Sequence, residues 1–110
     1  MDMAFKRRGV IVAGLLILWC LAPAAAAEAG RVTIDNFAFT PQVLQVKAGT
    51  TVTFVNHDDI PHSIVSETGT FRSHALDTDD KYTFTFTKPG EFAYFCGLHP
   101  HVNGKVVVAP

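Results

Sequence analysis

The amino-acid sequence predicts an all-β domain, a sandwich or barrel of about seven to eight short strands. Threonine and aromatic side chains alternate strictly over residues 82–87, which is typical of a strand with one buried and one solvent-facing side. Lys88, Pro89 and Gly90 form a turn signal after this segment, and similar punctuation recurs along the chain. No segment after residue 27 has the apolar spacing of a convincing helix, so the pattern favours an all-β fold.

The N-terminal segment has the three parts of a cleavable export signal. Basic residues at positions 6–8 precede an apolar run at 10–21, and the small residues at 22–27 are typical of a processing site. We therefore predict an export signal at residues 1–27 and one small mature domain at residues 28–110. The alternative is an uncleaved membrane anchor, because the apolar run with its flanks approaches the length that spans a bilayer.

The predicted strands of the first half follow the turn signals in order. They cover residues 31–37, 42–46, 50–56 and 63–66. Thr40 and Pro41 separate the first two strands. A turn at residues 47–49 leads into the third strand, in which Val52 and Phe54 alternate with threonine.

The second half contains three further predicted strands, at residues 82–87, 91–96 and 105–108. Residues 66–80 are polar and irregular, and we expect a short strand or a single helical turn around residues 71–76. In the second of the three strands, a period of two places Phe92, Tyr94 and Cys96 on one face. The two aromatic side chains are large and should point into the core. Cys96, on the same face, should therefore point inward at the end of the sandwich.

The composition argues against nucleic-acid binding and leaves one unpaired cysteine in the predicted mature domain. The formal net charge is −1 at pH 7 and the predicted mature domain is acidic, which argues against nucleic-acid binding. Of the two cysteines, Cys20 lies in the predicted signal, so Cys96 has no cysteine partner in the mature domain and needs another role. Both methionines also lie in the predicted signal, so the mature domain offers no thioether.

Three residues form a candidate metal site. Cys96 and His99 lie three positions apart where Gly97 and Pro100 predict a sharp turn, and His62 opens an upstream strand. Taken singly, a buried cysteine is usually a small apolar residue and a histidine is usually a surface residue. Together, one thiolate and two imidazoles in a rigid β framework are the ligand set that suits copper in electron transfer.

The remaining histidines, His57, His74 and His101, are expected to be structural or exposed. His101 is nevertheless close enough to the turn to be considered as a further ligand, and four ligands would give a tetrahedral, redox-silent zinc site. A Cys–His nucleophile is a weaker alternative, because nothing in the turn suggests a substrate cleft or donors for an oxyanion. We therefore predict that the protein is not an enzyme.

These residues lie in segments that resemble the cupredoxin family, in particular the small amicyanin, pseudoazurin and plastocyanin group. The resemblance is carried by residues 46–56, Pro61-His62, residues 90–96, His99-Pro100 and residues 104–108. It implies a Greek-key β-sandwich with one copper ion held by His62, Cys96 and His99, and single-electron transfer between redox partners. We further expect an exported, periplasmic monomer that docks its partners transiently and has no membrane attachment after cleavage.

Two positions depart from the family pattern. Val102 stands where amicyanin-like proteins have the axial methionine. Because that axial bond is long and weak, its loss predicts a trigonal site with a raised reduction potential. Alternatively, water or His101 fills the position and gives a more tetragonal site. Ser63 stands where the family often has asparagine, and its hydroxyl group, which can donate one hydrogen bond, has a shorter reach for bracing the ligand loop.

The missing thioether also keeps a second function open, periplasmic copper binding and delivery, in which the protein holds Cu(I) instead of shuttling electrons. For electron transfer, the resemblance implies that the outer edge of His99 reaches the surface, where we expect an apolar rim around it. The expected rim residues are Ile60, Pro61, Leu98, Pro100 and Val102. The acidic pair Asp58-Asp59 is interpreted as part of a solvated loop.

Overall fold

A computed structural model describes residues 29–110 of the chain, and the predicted export signal lies outside them. The described residues form eight strands: β1 (Ala29–Asp35), β2 (Ala38–Thr40), β3 (Val43–Lys47), β4 (Thr50–Asn56), β5 (Val65–Ser66), β6 (Lys81–Phe86), β7 (Gly90–Phe95) and β8 (Asn103–Ala109). Within this part of the chain there is no helix long and apolar enough to cross a membrane.

The strands form two four-stranded sheets, which confirms the all-β prediction. The first sheet has the order β2-β1-β4-β6 and the second has the order β3-β8-β7-β5. Neighbouring strands pair antiparallel except for β1 with β4 and β3 with β8, which run parallel. Consecutive strands such as β3 and β4 lie in different sheets, so the connections cross between the two layers of a sandwich.

The core lies between the sheets and follows the alternation of side chains along the strands. In β4, Val52 and Phe54 are fully buried while Thr51, on the opposite face, is exposed. The Phe54 ring meets the buried Tyr94 of β7 edge-on, with ring centroids 5.3 Å apart, and thereby links the two sheets. Truncating a core aromatic residue of this kind to alanine costs about 3–5 kcal/mol of stability.

Three connections meet at one end of the sandwich. Ile34 of β1 lies opposite Asn56 of β4 in parallel register, so the β1–β2 turn and the β4–β5 loop leave the first sheet at the same end. In the second sheet, Phe95 of β7 pairs with Asn103 of β8, so residues 96–102 connect these two strands at the end of that sheet. Each predicted metal ligand lies on one of these connections.

The first predicted strand differs from the structure. It was expected to run over residues 31–37, but β1 ends at Asp35 because Asn36 and Phe37 have φ angles of 52° and 60°. Two consecutive residues in the left-handed region reverse the chain into the short strand β2, which the sequence pattern did not predict.

The expectation of a short strand or helical turn at residues 71–76 was wrong. These residues run in an irregular path, in which isolated bridges join Leu76 to His62 and Arg72 to Val65. The segment therefore lies alongside the β4–β5 loop and supports its backbone.

Candidate metal centre

His62 is fully buried in the β4–β5 loop. Its backbone N–H donates to the Leu76 carbonyl at 3.1 Å, and its own carbonyl accepts from the Leu76 N–H at 2.7 Å. The Asn56 side chain secures the same loop, because its Nδ2 donates to the carbonyls of Ile60 at 2.9 Å and of Leu76 at 2.8 Å. Protein contacts alone therefore hold the backbone of His62 in place.

Cys96 and His99 lie on a tightly bonded loop of residues 96–102, which we call the ligand loop. Cys96 follows β7 directly and is fully buried, whereas His99 is half-buried. The Cys96 N–H donates to the Val102 carbonyl at 2.9 Å and closes the base of the loop. Inside the loop, the His99 N–H donates to the Cys96 carbonyl at 3.2 Å and the Val102 N–H donates to the His99 carbonyl at 2.8 Å.

The three predicted ligands converge on one point. Cys96 Sγ lies 3.5 Å from His62 Nδ1 and 3.8 Å from His99 Nδ1, and the three ligand atoms lie within 4.8 Å of one another. Bonds of about 2.3 Å to sulfur and about 2.0 Å to nitrogen, at angles of about 109–120°, require a sulfur–nitrogen separation of about 3.5–3.7 Å. The three residues therefore fit a first-row metal ion, and one thiolate with two imidazoles suits copper.

Ser63 braces the ligand loop in a way that its short side chain did not suggest. Its hydroxyl group was expected to have too short a reach to brace the loop well, but Oγ accepts a hydrogen bond from the Gly97 N–H at 2.9 Å. The Ser63 backbone N–H donates to Cys96 Sγ at 3.3 Å. One residue therefore contacts both Cys96 Sγ and the loop that follows it.

Asp58 is a site residue that the sequence analysis missed, because the acidic pair was interpreted as a solvated loop. Its carboxylate is buried, and Oδ2 lies 2.8 Å from His62 Nε2. Burial alone would raise the pKa of this carboxyl group. The Phe37 and Asn36 N–H groups and the His62 ring outweigh that effect and lower the pKa of Asp58 below its usual value. The only sequence signal was its position four residues before His62.

Phe37 is a second site residue that the sequence analysis missed. Its ring meets His62 and His99 edge-on, with centroid distances of 5.5 Å and 5.3 Å, while 46% of the residue is exposed. A phenylalanine with a positive φ is uncommon. The preceding Asn36, a common turn residue, was the one local signal for this conformation. From its position in the β1–β2 turn, the Phe37 ring covers the two imidazoles.

The last two candidates on the ligand loop differ in exposure: Val102 is buried and His101 is exposed. Val102 is only 4% exposed, so its predicted place in the apolar surface rim was wrong. The chain turns back into β8 immediately after it, and this return puts its side chain into the core cluster. His101 is exposed and is not part of the convergent group of His62, Cys96 and His99. The four-ligand arrangement considered for zinc is therefore not formed.

Comparisons with known proteins agree with this geometry. The Cupredoxin-like domain family matches residues 10–108. Amicyanin from Paracoccus versutus is 35% identical over 87 residues, which cover 74% of this chain and 66% of that protein.

Two solved structures share the fold. A purple cupredoxin from Nitrosopumilus maritimus has a TM-score of 0.69 and 32% identity, covering 73% of this chain and 99% of that chain. A copper-containing nitrite reductase from Thermus scotoductus has a TM-score of 0.70 and 33% identity, covering 74% of this chain but 22% of its own. The two sheets, the converging thiol and imidazoles, and the family match lead to one conclusion: this chain belongs to the cupredoxin family.

Proposed function

We propose that the mature protein is a blue copper protein that carries single electrons between redox partners, with one copper ion held by His62, Cys96 and His99. One observation carries the proposal. Cys96 Sγ and the two Nδ1 atoms face one another at separations suited to a single metal ion, inside a fold of the cupredoxin family. The blue copper electron-transfer function of amicyanin-like cupredoxins supports the same assignment.

The residues of the chain give the site two properties that electron transfer needs. Copper bound between them supplies one-electron redox chemistry. His62 and Cys96 are fully buried, so water is kept from two of the three ligands. The Leu76 backbone and the ligand-loop hydrogen bonds hold the ligands in position, which favours a similar geometry in both oxidation states.

We propose that Val102 occupies the axial position and leaves it without a strong ligand. The side chain of Val102 is buried and apolar, which favours a dry, trigonal site over one that admits water. Because an apolar neighbour stabilises Cu(II) less than an electron-rich thioether does, we expect a raised reduction potential. His101 is exposed and is not part of the convergent group, which argues against its entry as a fourth ligand.

Electrons leave, in this proposal, through His99, which is the half-buried ligand. Leu98 beside it is 51% exposed and Phe37 is 46% exposed, so apolar surface flanks its ring. A small apolar patch of this kind suits brief docking to a redox partner with rapid release. We also propose that the protein is a monomer.

We propose that residues 1–27 direct export and are then removed, which leaves residues 28–110 as the working domain in the periplasm. The proposal does not include enzymatic activity. The nitrite reductase that shares this fold is a much longer chain, of which this domain matches only 22%.

Absorption and EPR spectra of the mature protein loaded with Cu(II) test the proposal. We expect an intense thiolate-to-copper charge-transfer band and a narrow hyperfine splitting. The Cys96→Ser variant should lose the band, and the matched His101→Ala variant should keep it. A pale spectrum with wide splitting in the unmodified protein would contradict the trigonal site.

Copper delivery is the competing function, and the missing thioether is the observation that favours it. Exchange distinguishes the two functions. An electron carrier retains its copper when it is challenged with a Cu(I) chelator and cycles reversibly at an electrode. A delivery protein transfers Cu(I) to the chelator and does not require a stable Cu(II) form.

A further inference from the structure

The Asp58 carboxylate connects the buried ligand His62 to the β1–β2 turn. Oδ2 lies 2.8 Å from His62 Nε2 and accepts the Phe37 N–H at 2.9 Å, while Oδ1 accepts the Asn36 N–H at 2.6 Å. The donors from the turn are more than 20 residues away in sequence, so this arrangement exists only in the folded protein.

The arrangement favours a carboxylate because the β1–β2 turn places a donor against each Asp58 oxygen. These two donors are backbone N–H groups, which cannot act as acceptors. An ionised carboxylate can only accept, so the nitrogen of His62 that faces it must carry the proton. His62 Nδ1, which faces Cys96 Sγ, is then left with its lone pair free for a metal ion.

The backbone of the Asp58 loop is also held in place. The Asp58 N–H donates to Asn56 Oδ1 at 2.9 Å, and the Asp58 carbonyl accepts from Thr78 Oγ1 at 2.6 Å. The backbone that carries this carboxylate is therefore held by the first sheet and by the segment before β6.

We propose that Asp58 is a positioning residue that selects the metal-binding tautomer of His62 and stabilises Cu(II) relative to Cu(I). The inference rests on the proposed role of His62 as a copper ligand. A buried negative charge bonded to a ligand imidazole raises the basicity of that ligand and favours the more highly charged ion. Asp58 therefore lowers the reduction potential and acts against the effect expected from Val102.

The test compares Asp58→Asn with Asp59→Asn. Both variants lose one negative charge from the same loop, but Asp59 is exposed and Asp58 is buried against His62. Asparagine keeps the size of Asp58 but replaces one acceptor oxygen with an N–H donor. In either orientation of the amide this donor faces another donor, either the Asn36 N–H or the Phe37 N–H together with a protonated Nε2. We expect Asp58→Asn to lower the Cu(II) affinity about 10–100-fold and the Cu(I) affinity less.

Voltammetry measures the same difference between the Cu(II) and Cu(I) affinities as a shift in the reduction potential. Each tenfold loss of Cu(II) affinity relative to Cu(I) raises the potential by about 59 mV. Asp59→Asn should leave the potential close to that of the unmodified protein. If a folded Asp58→Asn protein has the potential and the Cu(II) affinity of Asp59→Asn, Asp58 only supports the turn and the proposal is overturned.

A measurement on the unmodified, metal-free protein decides the case in which Asp58→Asn does not fold. Proton–nitrogen NMR of the His62 ring should find a slowly exchanging proton on Nε2 and none on Nδ1. A proton on Nδ1 instead would overturn the tautomer assignment. Because this measurement uses no copper, it remains valid even if the loaded protein lacks a thiolate-to-copper band, which would contradict only the proposed function.

Discussion

The hydroxyl oxygen of Ser63 accepts a hydrogen bond from the Gly97 N–H at 2.9 Å. A Cβ atom at Gly97 would lie 2.8 Å from the same oxygen and 3.1 Å from a methyl group of Val65. The contact therefore requires both a short polar side chain at position 63 and no side chain at position 97. It joins the first residue after Cys96 to the first residue after His62, so the two ligand-bearing segments are in direct contact.

The Ser63→Ala variant should separate this brace from the sulfur bond. Loss of the hydroxyl acceptor should lower the free energy of unfolding of the metal-free protein by about 0.5–1.5 kcal/mol. The energy of the thiolate-to-copper band should stay nearly unchanged, because the backbone N–H of residue 63 still donates to Cys96 Sγ. Chemical denaturation and absorption spectroscopy measure the two effects. A large band shift without loss of stability would argue against this division of roles.

The Phe37→Ala variant should open the centre to water. The Phe37 ring covers His62 and His99 at centroid distances of 5.5 Å and 5.3 Å, so its removal uncovers the imidazoles. Pulsed EPR of the Cu(II) protein in deuterated water should detect exchangeable deuterons closer to copper. Val43→Ala, which truncates another exposed apolar residue, is the control and should not change the signal. An unchanged signal in both variants would mean that the ring does not exclude water.

Replacing the same residue with glycine tests the backbone at position 37. Phe37 has a φ of 60°, where a residue with a Cβ atom is disfavoured by about 1–2 kcal/mol and glycine is not. Phe37→Gly should therefore be as stable as Phe37→Ala or more stable, even though glycine makes the unfolded chain more flexible. Thermal unfolding of the two metal-free variants makes the comparison. A clearly less stable glycine variant would show that the turn carries little strain.

The Tyr94→Phe variant should stabilise the protein. Tyr94 is fully buried, and its hydroxyl group has no hydrogen-bond partner among residues 29–110. Burial also raises the pKa of this hydroxyl group, so it stays neutral at any ordinary pH. Removing a buried, unpartnered polar group should raise the free energy of unfolding by about 1–3 kcal/mol. A drop in the melting temperature of the metal-free variant would indicate instead that the hydroxyl group is bonded.

The Gly104→Ala variant should destabilise the protein, because the added Cβ atom would lie too close to the same Tyr94 side chain. A Cβ atom at Gly104 would lie 2.6 Å from Tyr94 Oη, 2.8 Å from its Cζ and 3.0 Å from the Gln42 carbonyl oxygen. Overpacking of this kind costs about 1–3 kcal/mol. The double variant with Tyr94→Phe should recover only part of the loss, because the ring carbon and the Gln42 carbonyl remain in the way. Additive effects of the two substitutions would show that the residues do not interact.

Several features of the fold follow from local sequence patterns. The predicted strand at residues 50–56 coincides with β4, and the alternating segment at 82–87 contains most of β6. Such patterns are informative because each strand buries one face, and the burial of Val52 and Phe54 follows this rule directly. The ligand set was predictable because Cys96 and His99 share one short loop and lie in family motifs. That they bind copper stays a prediction.

The surroundings of the ligands were not predictable in the same way. Asp58 resembles its exposed neighbour Asp59 in the sequence, and it is buried only because the turn at Asn36 and Phe37 folds over it from more than 20 residues away. Phe37 continued the predicted first strand, but in the structure it has a left-handed conformation and its ring contacts two distant histidine rings. No local period contains these long-range contacts.

The hydrogen bonds inside the ligand loop have a consequence for metal capture. The Cys96, His99 and Val102 N–H groups each donate within residues 96–102, so the backbone of the loop is held in shape by its own hydrogen bonds. Ordering a flexible loop costs about 1–2 kcal/mol of conformational entropy for each residue. Here that cost belongs to folding, and the arriving ion does not have to offset it. The rate of copper uptake should therefore depend on how often the ion gains access to the sulfur, and little on a conformational search by the loop.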